Sequence, residues 1–285
     1  MDSNELIHNQ KTFIFTMKKI LSILIITLFL SSCGEFQKAL KTEEIGVKYD
    51  VASKQYEAGK YAKAIRLFEQ IAPSYRGRPQ AEKMFYMYAQ SYFKSGQYYS
   101  AGYQFESFVT SYPKSEKVEE ASYLAAKSYS KLSPRFSLDQ IDTYKAIDKF
   151  QSFIDAYPTS EYLADANSIV KDLREKIEKK AFETAKQYNT TGDWNGNHKA
   201  ALVALDNFIT DFPGTKFKGQ ALYYKLDSTY KLAINSIDSK KSERLADAKS
   251  AYFNLVNFDQ SSEFKVKAEE MLVRIETDLK QISNN

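Results

Sequence analysis

Few side chains in this sequence can make or break a covalent bond. Its 285 residues include one cysteine, Cys33, and two histidines, His8 and His198. One Cys cannot form an internal disulfide, and a Cys–His nucleophile pair or a His-rich zinc site has almost no material. The glycine patterns that cradle phosphates or raise a nucleophile, GxGxxG, GxxxxGK[ST] and GxSxG, are absent. The 36 acidic residues include no pair marked by its setting. No catalytic residue, metal site or cofactor is therefore expected. What the chain has in quantity is 21 Tyr and 19 Phe. Such side chains offer apolar area, and Tyr a hydroxyl, at little entropic cost, which is chemistry for holding a partner. The net charge of +4 is mild and mixed in sign, so no nucleic-acid partner is expected.

The elements that position these residues read as helices. Ten Gly and six Pro are too few for a sandwich or barrel with its frequent turns. Near the N-terminus, Lys18-Lys19 precede an apolar run from Ile20 to Leu30. That run suits a signal-peptide core and is too short to span a bilayer. It is followed by Leu30-Ser31-Ser32-Cys33, which resembles the lipobox of bacterial lipoproteins. The resemblance implies removal of residues 1–32 and lipidation of Cys33. Several acyl chains, at about 0.8 kcal/mol per CH₂, would anchor the mature chain firmly. Met17 fits as the true start, with residues 1–16 an upstream extension. Gly34 after the Cys, rather than Asp, favours the outer membrane among such lipoproteins. Residues 33–45 are then expected as a lipidated polar tether. His8 falls before the cleavage point, which leaves His198 as the one histidine of the mature chain.

The remainder repeats. Gly-x-Tyr-x-x-Ala-x-x-x-Phe occurs at Gly59, Tyr61, Ala64, Phe68 and, 37 residues later, at Gly96, Tyr98, Ala101, Phe105. An aromatic-Pro pair followed by a hydroxyl residue occurs at Tyr112-Pro113, Tyr157-Pro158 and Phe212-Pro213, with Ser115, Ser160 and Thr215 behind them. The Gly suits a left-handed helix end. The Ala allows close helix approach, the Pro stops the second helix, and the hydroxyl caps the next one. Such pairs resemble tetratricopeptide repeats. The expected fold is an all-α, tetratricopeptide-like solenoid of about five helix-turn-helix repeats, at 46–79, 80–115, 116–160, 161–215 and 216–262, plus a C-terminal capping helix. The organisation read from this is 46–160 for repeats 1–3 and 161–285 for a long linking helix, repeats 4–5 and the cap. The third repeat carries an insert, Leu132 to Asp142. The charged middle of the linking helix, Lys171 to Lys180, reads as a solvated face with i,i+4 pairs Asp172/Lys176 and Glu175/Lys179. Asn189-Thr190-Thr191 matches a glycosylation acceptor and is taken as chance in a bacterial lipoprotein.

First helices line the concave face of such a solenoid. Alignment of the repeats places Tyr49, Tyr86, Tyr123, Phe182 and Tyr224 at one equivalent position, the first three spaced by 37. Tyr56 and Phe93 match each other further along. Tyr49, Tyr56, Tyr86, Phe93 and Tyr123 then form a candidate aromatic stripe for an extended or aromatic-ended peptide, with Lys83, Lys94 and Lys127 as candidates for its terminal carboxylate. Any single one of these aromatics serves equally well as packing between helices. Phe182 and Tyr224 are the candidates for partner docking in the C-terminal half.

Lipobox, repeats and YP-x-S ends together resemble the BamD family, the lipoprotein component of the outer-membrane β-barrel assembly machinery. Tyr75-Arg76-Gly77, Ala101-Gly102-Tyr103-Gln104-Phe105 and the insert from Ser133 to Ile147 are similar to stretches of its Bacteroidetes branch. The resemblance implies a lipid-anchored scaffold on the periplasmic face of the outer membrane. Its implied partners are a BamA-type barrel subunit, docked by the C-terminal repeats, and unfolded outer-membrane protein precursors, recognised by the N-terminal repeats. The alternatives are another periplasmic tetratricopeptide adaptor, of cell-envelope or peptidoglycan machinery, and a SusD-like glycan-binding lipoprotein. The latter fits poorly, since its chains are roughly twice as long.

Overall fold

A computed structural model describes residues 34–258 and 264–283; the expected signal peptide and Cys33 lie outside it. The described residues are all helical, with no strand. Helix α1 covers 34–41. It is followed by α2 (Ile45–Glu57), α3 (Tyr61–Tyr75), α4 (Ala81–Lys94), α5 (Tyr98–Ser111), α6 (Val118–Leu132) and α7 (Ile141–Ala156). Then come α8 (Leu163–Asn195), α9 (His198–Asp211), α10 (Lys218–Ile234), α11 (Asp238–Phe258) and α12 (Lys265–Ser283). None is long and apolar enough to cross a membrane.

The local signals work as the residue types dictate. Gly59 and Gly96 have φ of +70° and +78°, a region open to Gly because it lacks a Cβ. The residue after each closes the helix with an equivalent bond, 37 residues apart. Lys60 N–H donates to Gln55 O at 2.8 Å, and Gln97 N–H to Tyr92 O at 3.0 Å. Ala64, Ala101, Ala146 and Ala201 are fully buried, and so are Phe68, Phe105, Phe150 and Leu205 one turn on. Helices α5, α7 and α9 each stop at the residue immediately before the aromatic-Pro pair. The hydroxyls behind each Pro accept from the backbone two residues on: Ser115 from Lys117, Ser160 from Tyr162 and Thr215 from Phe217, at 3.0, 3.1 and 3.2 Å. Ser115 also donates to Glu82 Oε1 at 2.5 Å, which ties this turn to α4.

The chain divides into two compact units. The first comprises the described residues through Leu132 together with Asp148–Ala166; the second comprises Ser133–Ile147 and the described residues from Asn167 onward. Each is built from antiparallel helix pairs of the tetratricopeptide type. In the first unit, α2 packs on α3, α3 on α4, α4 on α5 and α5 on α6. In the second, α10 packs against α9, α11 and α12 around Leu226, Leu245, Leu255 and Ile275, all fully buried.

Two segments differ from expectation. Residues 34–41, expected within a polar tether, are helical, because Phe36 and Ala39 find apolar cover and are buried. Lys63 and Arg66 of α3 lie over the Phe36 ring, at 5.2 and 5.9 Å. The charged middle of α8 is also more than a solvated face. Within the second unit its lysines hold the insert: Lys176 Nζ donates to Ser133 Oγ at 2.6 Å and Lys180 Nζ to Leu138 O at 2.7 Å. Lys179 lies 4.4 Å over the Phe136 ring, and Glu175 pairs with Lys216. A helix pattern cannot show this use, because the partners lie some 40 residues away in sequence.

Candidate functional site

The first unit holds a groove of about 470 Å³. Helix α2 contributes Tyr56 and helix α4 contributes Tyr86 and Met87. Phe108 of α5 closes the floor. The mouth carries Lys83 and Lys117, with Glu57 and Glu82 beside them. Glu82 is engaged by Ser115, whereas Lys83 projects into solvent.

The floor is fixed by ring contacts. Tyr86 meets Phe108 edge-on at 5.5 Å and Phe105 at 6.2 Å. Tyr56 meets Tyr61 at 5.9 Å. The Tyr86 hydroxyl accepts from Gln90 Nε2 at 2.9 Å and donates to Glu120. Lys117 Nζ stands 2.8 Å from Glu120 Oε2 and 5.6 Å over the Tyr86 ring. Burial, then the Glu120 hydrogen bond, push the Tyr86 hydroxyl far above the usual tyrosine range. Burial and the neighbouring Tyr61 and Glu120 raise Tyr56 as well. Burial would raise Glu120, but hydrogen bonds from Lys117 and Tyr86 and the charge of Lys94 outweigh it and hold the carboxyl below its ordinary value. Both hydroxyls thus stay protonated. Such a groove offers rings, donors and cations, the chemistry of holding a peptide. Among the described residues no cluster of His, Cys, Asp or Glu is suited to hold a metal ion.

The predicted stripe is only partly assembled. Tyr56, Tyr86 and Lys83 meet at the groove. Lys94 lies close by, 6.0 Å over the Tyr61 ring. Tyr49 is half-buried and stacks on Tyr75, centroids 5.2 Å apart. Phe93 is half-buried against Tyr98 and Phe105.

Three candidates need correction. Tyr123 is only 5 % exposed, because Tyr162, Phe150 and Phe153 enclose its ring. Its hydroxyl donates to Asp165. Lys127 is therefore engaged too, at 2.6 Å from Tyr123 Oη and 3.1 Å from Asp165 Oδ2. In the second unit Phe182 is 1 % exposed, stacked on Phe217 at 5.3 Å and packed on Phe208, so it is core rather than docking surface. Tyr224 stays half-buried, with Lys186 5.4 Å over its ring. Equivalent positions in a repeat need not have equivalent neighbours: the aromatic-Pro turn behind α7 adds Tyr162 over Tyr123, a residue the first repeat lacks.

Sequence reasoning missed Lys117, Met87, Phe108 and Glu120. A signal for Lys117 existed, since it follows the capping Ser115 by two residues and so sits at the mouth of α6. Met87 and Phe108 carry no local mark of their role.

Comparison with known proteins agrees with an outer-membrane assignment. The family model YfiO, described as outer membrane lipoprotein, matches residues 43–197. No curated protein matches the chain. Among solved structures, the TPR2AB-domain:pHSP90-complex of yeast Sti1 is similar, at 13 % identity and a TM-score of 0.38, over 81 % of this chain and 98 % of that one.

Proposed function

The chain belongs to the YfiO, or BamD, family of outer membrane lipoproteins, and from that premise we propose that it is a non-catalytic scaffold of the β-barrel assembly machinery, lipid-anchored through Cys33 and facing the periplasm. Its first unit holds the C-terminal segment of an unfolded barrel precursor, and its later helical pairs hold the BamA-type barrel subunit. Keeping the two together raises the local concentration of substrate at the inserting subunit.

The observation that carries this reading is the groove of Tyr56, Tyr86 and Phe108 with Lys83 and Lys117 at its mouth. An extended peptide ending in an aromatic offers what such a groove takes: a ring for the floor and a carboxylate for the ammonium groups. The test is a titration of the mature chain with a ten-residue peptide from a barrel C-terminus, with a free or an amidated end. The free-ended peptide is expected to bind about tenfold more tightly, the worth of roughly 1.4 kcal/mol. Equal affinities would remove the carboxylate from the reading.

A further inference from the structure

The second unit contains a pocket of its own, about 480 Å³, formed where the insert faces α8 and α9. Its floor is apolar, from Ile177, Ala181 and Ala185 of α8, Ala204 and Phe208 of α9, and Phe212 just after α9. Ile141 and Tyr144 form the wall on the insert side and the start of α7, and are 72 % and 58 % exposed. Large apolar side chains left in water at the edge of an apolar hollow mark a binding surface rather than a core.

The wall is built, not draped. Gln140 and Thr143 are buried. Gln140 Nε2 donates to Arg135 O at 2.9 Å and to Leu138 O at 3.0 Å, and its Oε1 accepts from Thr143 at 2.7 Å. With the Lys176, Lys179 and Lys180 contacts, the insert is held at both ends. The pocket therefore exists before any ligand arrives, and a ligand would not have to order it.

The rim sets the charge of the partner. It carries the carboxylates of Asp139 and Asp211, and neither forms an ion pair among the described residues. Asp139 Oδ1 accepts the Ile141 N–H, at 2.8 Å. Lys180, the one cation in the lining, has its ammonium on the Leu138 carbonyl. In a chain of net charge +4, this rim is locally acidic. We propose that the pocket is a second docking site, for a protein segment that places an apolar side chain in the hollow with a Lys or Arg beside it. Its polarity is opposite to that of the first unit's groove, so the two sites select different chemistry. The proposal rests on the pocket alone and not on the function proposed above.

The probes are two acetylated, amidated heptapeptides, Gly-Ser-Arg-Leu-Arg-Ser-Gly and its Glu-for-Arg counterpart, titrated into the full mature chain by fluorescence anisotropy. The basic peptide is expected to bind about tenfold more tightly than the acidic one. The double change Asp139→Asn with Asp211→Asn keeps the Ile141 acceptor and should erase that preference. Asp211→Lys, on the exposed end of α9, should reverse it. Lys41→Glu, exposed at the end of α1 and outside both hollows, should leave it unchanged. Equal binding of the two peptides, or a preference that survives Asp211→Lys, overturns the proposal. Peptide-insensitive dimerisation in sedimentation would also overturn it, with a second copy as the occupant.

Discussion

The rings of Tyr123 and Tyr162 stack face to face, with centroids 4.5 Å apart and planes 13° apart. Tyr162 follows the third repeat's aromatic-Pro turn, and the stack closes a position that the repeat register alone assigns to an open groove. The Tyr123 hydroxyl then bridges Asp165 and Lys127. Tyr123→Ala should cost about 3–5 kcal/mol in urea unfolding, as for other large core aromatics. Tyr123→Phe removes only the bridge and should cost about 1 kcal/mol. A loss below 1 kcal/mol for the Ala variant would place the ring outside the core.

Gly192 lies against His198. A Cβ there would come within 2.7 Å of His198 Nδ1 and 3.1 Å of Cε1. The imidazole is 2 % exposed and cannot swing aside. Ala in a helix gains about 1 kcal/mol over Gly, but overpacking costs about 1–3 kcal/mol, so the clash is expected to win. Gly192→Ala should lower the melting temperature by a few degrees. Gly46→Ala, with nothing within 4 Å, should leave it unchanged or raise it.

The same histidine makes stability depend on pH. Burial lowers the His198 pKa below its ordinary 6.5; Asp193 and Asp227 pull it up and Lys231 pushes it down, and burial prevails. The unfolded state then holds its proton more tightly than the folded state. Stability is full above about pH 6.5 and falls as pH drops through that value towards the folded pKa, below which it levels off. The slope between pH 7 and 5.5 should shrink in His198→Gln. An unchanged slope would assign it to other groups.

Asn189 is buried in α8 and donates to Asp227 Oδ2 at 2.7 Å and to Ser228 Oγ at 2.9 Å. Asn189→Leu should cost about 2–3 kcal/mol by thermal melting, because Asp227 loses a donor where little water reaches it. Asp227 keeps Lys231 at 2.8 Å, so the loss should not exceed that range.

Lys83 stands at the mouth of the first unit's groove and faces solvent. Lys83→Glu should weaken a free-ended barrel peptide about tenfold and leave the amidated one within a factor of two. Equal losses for both peptides would point to a general fold effect.

Much of this was legible because repeats write themselves in local terms. Gly59 and Gly96 mark helix ends wherever they occur, and Ala64, Ala101, Ala146 and Ala201 mark close approach. The groove was half legible: Tyr56, Tyr86 and Lys83 follow from register, whereas Met87, Phe108 and Lys117 join them only through helix packing. Tyr123 and Phe182 went the other way, since Tyr162 and Phe217, their stacking partners, lie after later turns. The pocket at Asp139 and Asp211 carries no local signal, because its walls come from segments about 70 residues apart.

The role proposed for the chain is to hold other proteins of the barrel assembly machinery. The direct measurement is affinity purification of the lipidated, full-length protein from gently solubilised outer membranes, with protein identification. Stoichiometric recovery of a BamA-type barrel subunit is expected, and it should persist in Tyr86→Ala, which truncates a wall of the first unit's groove. Recovery of cell-envelope or peptidoglycan proteins without that subunit would contradict this role.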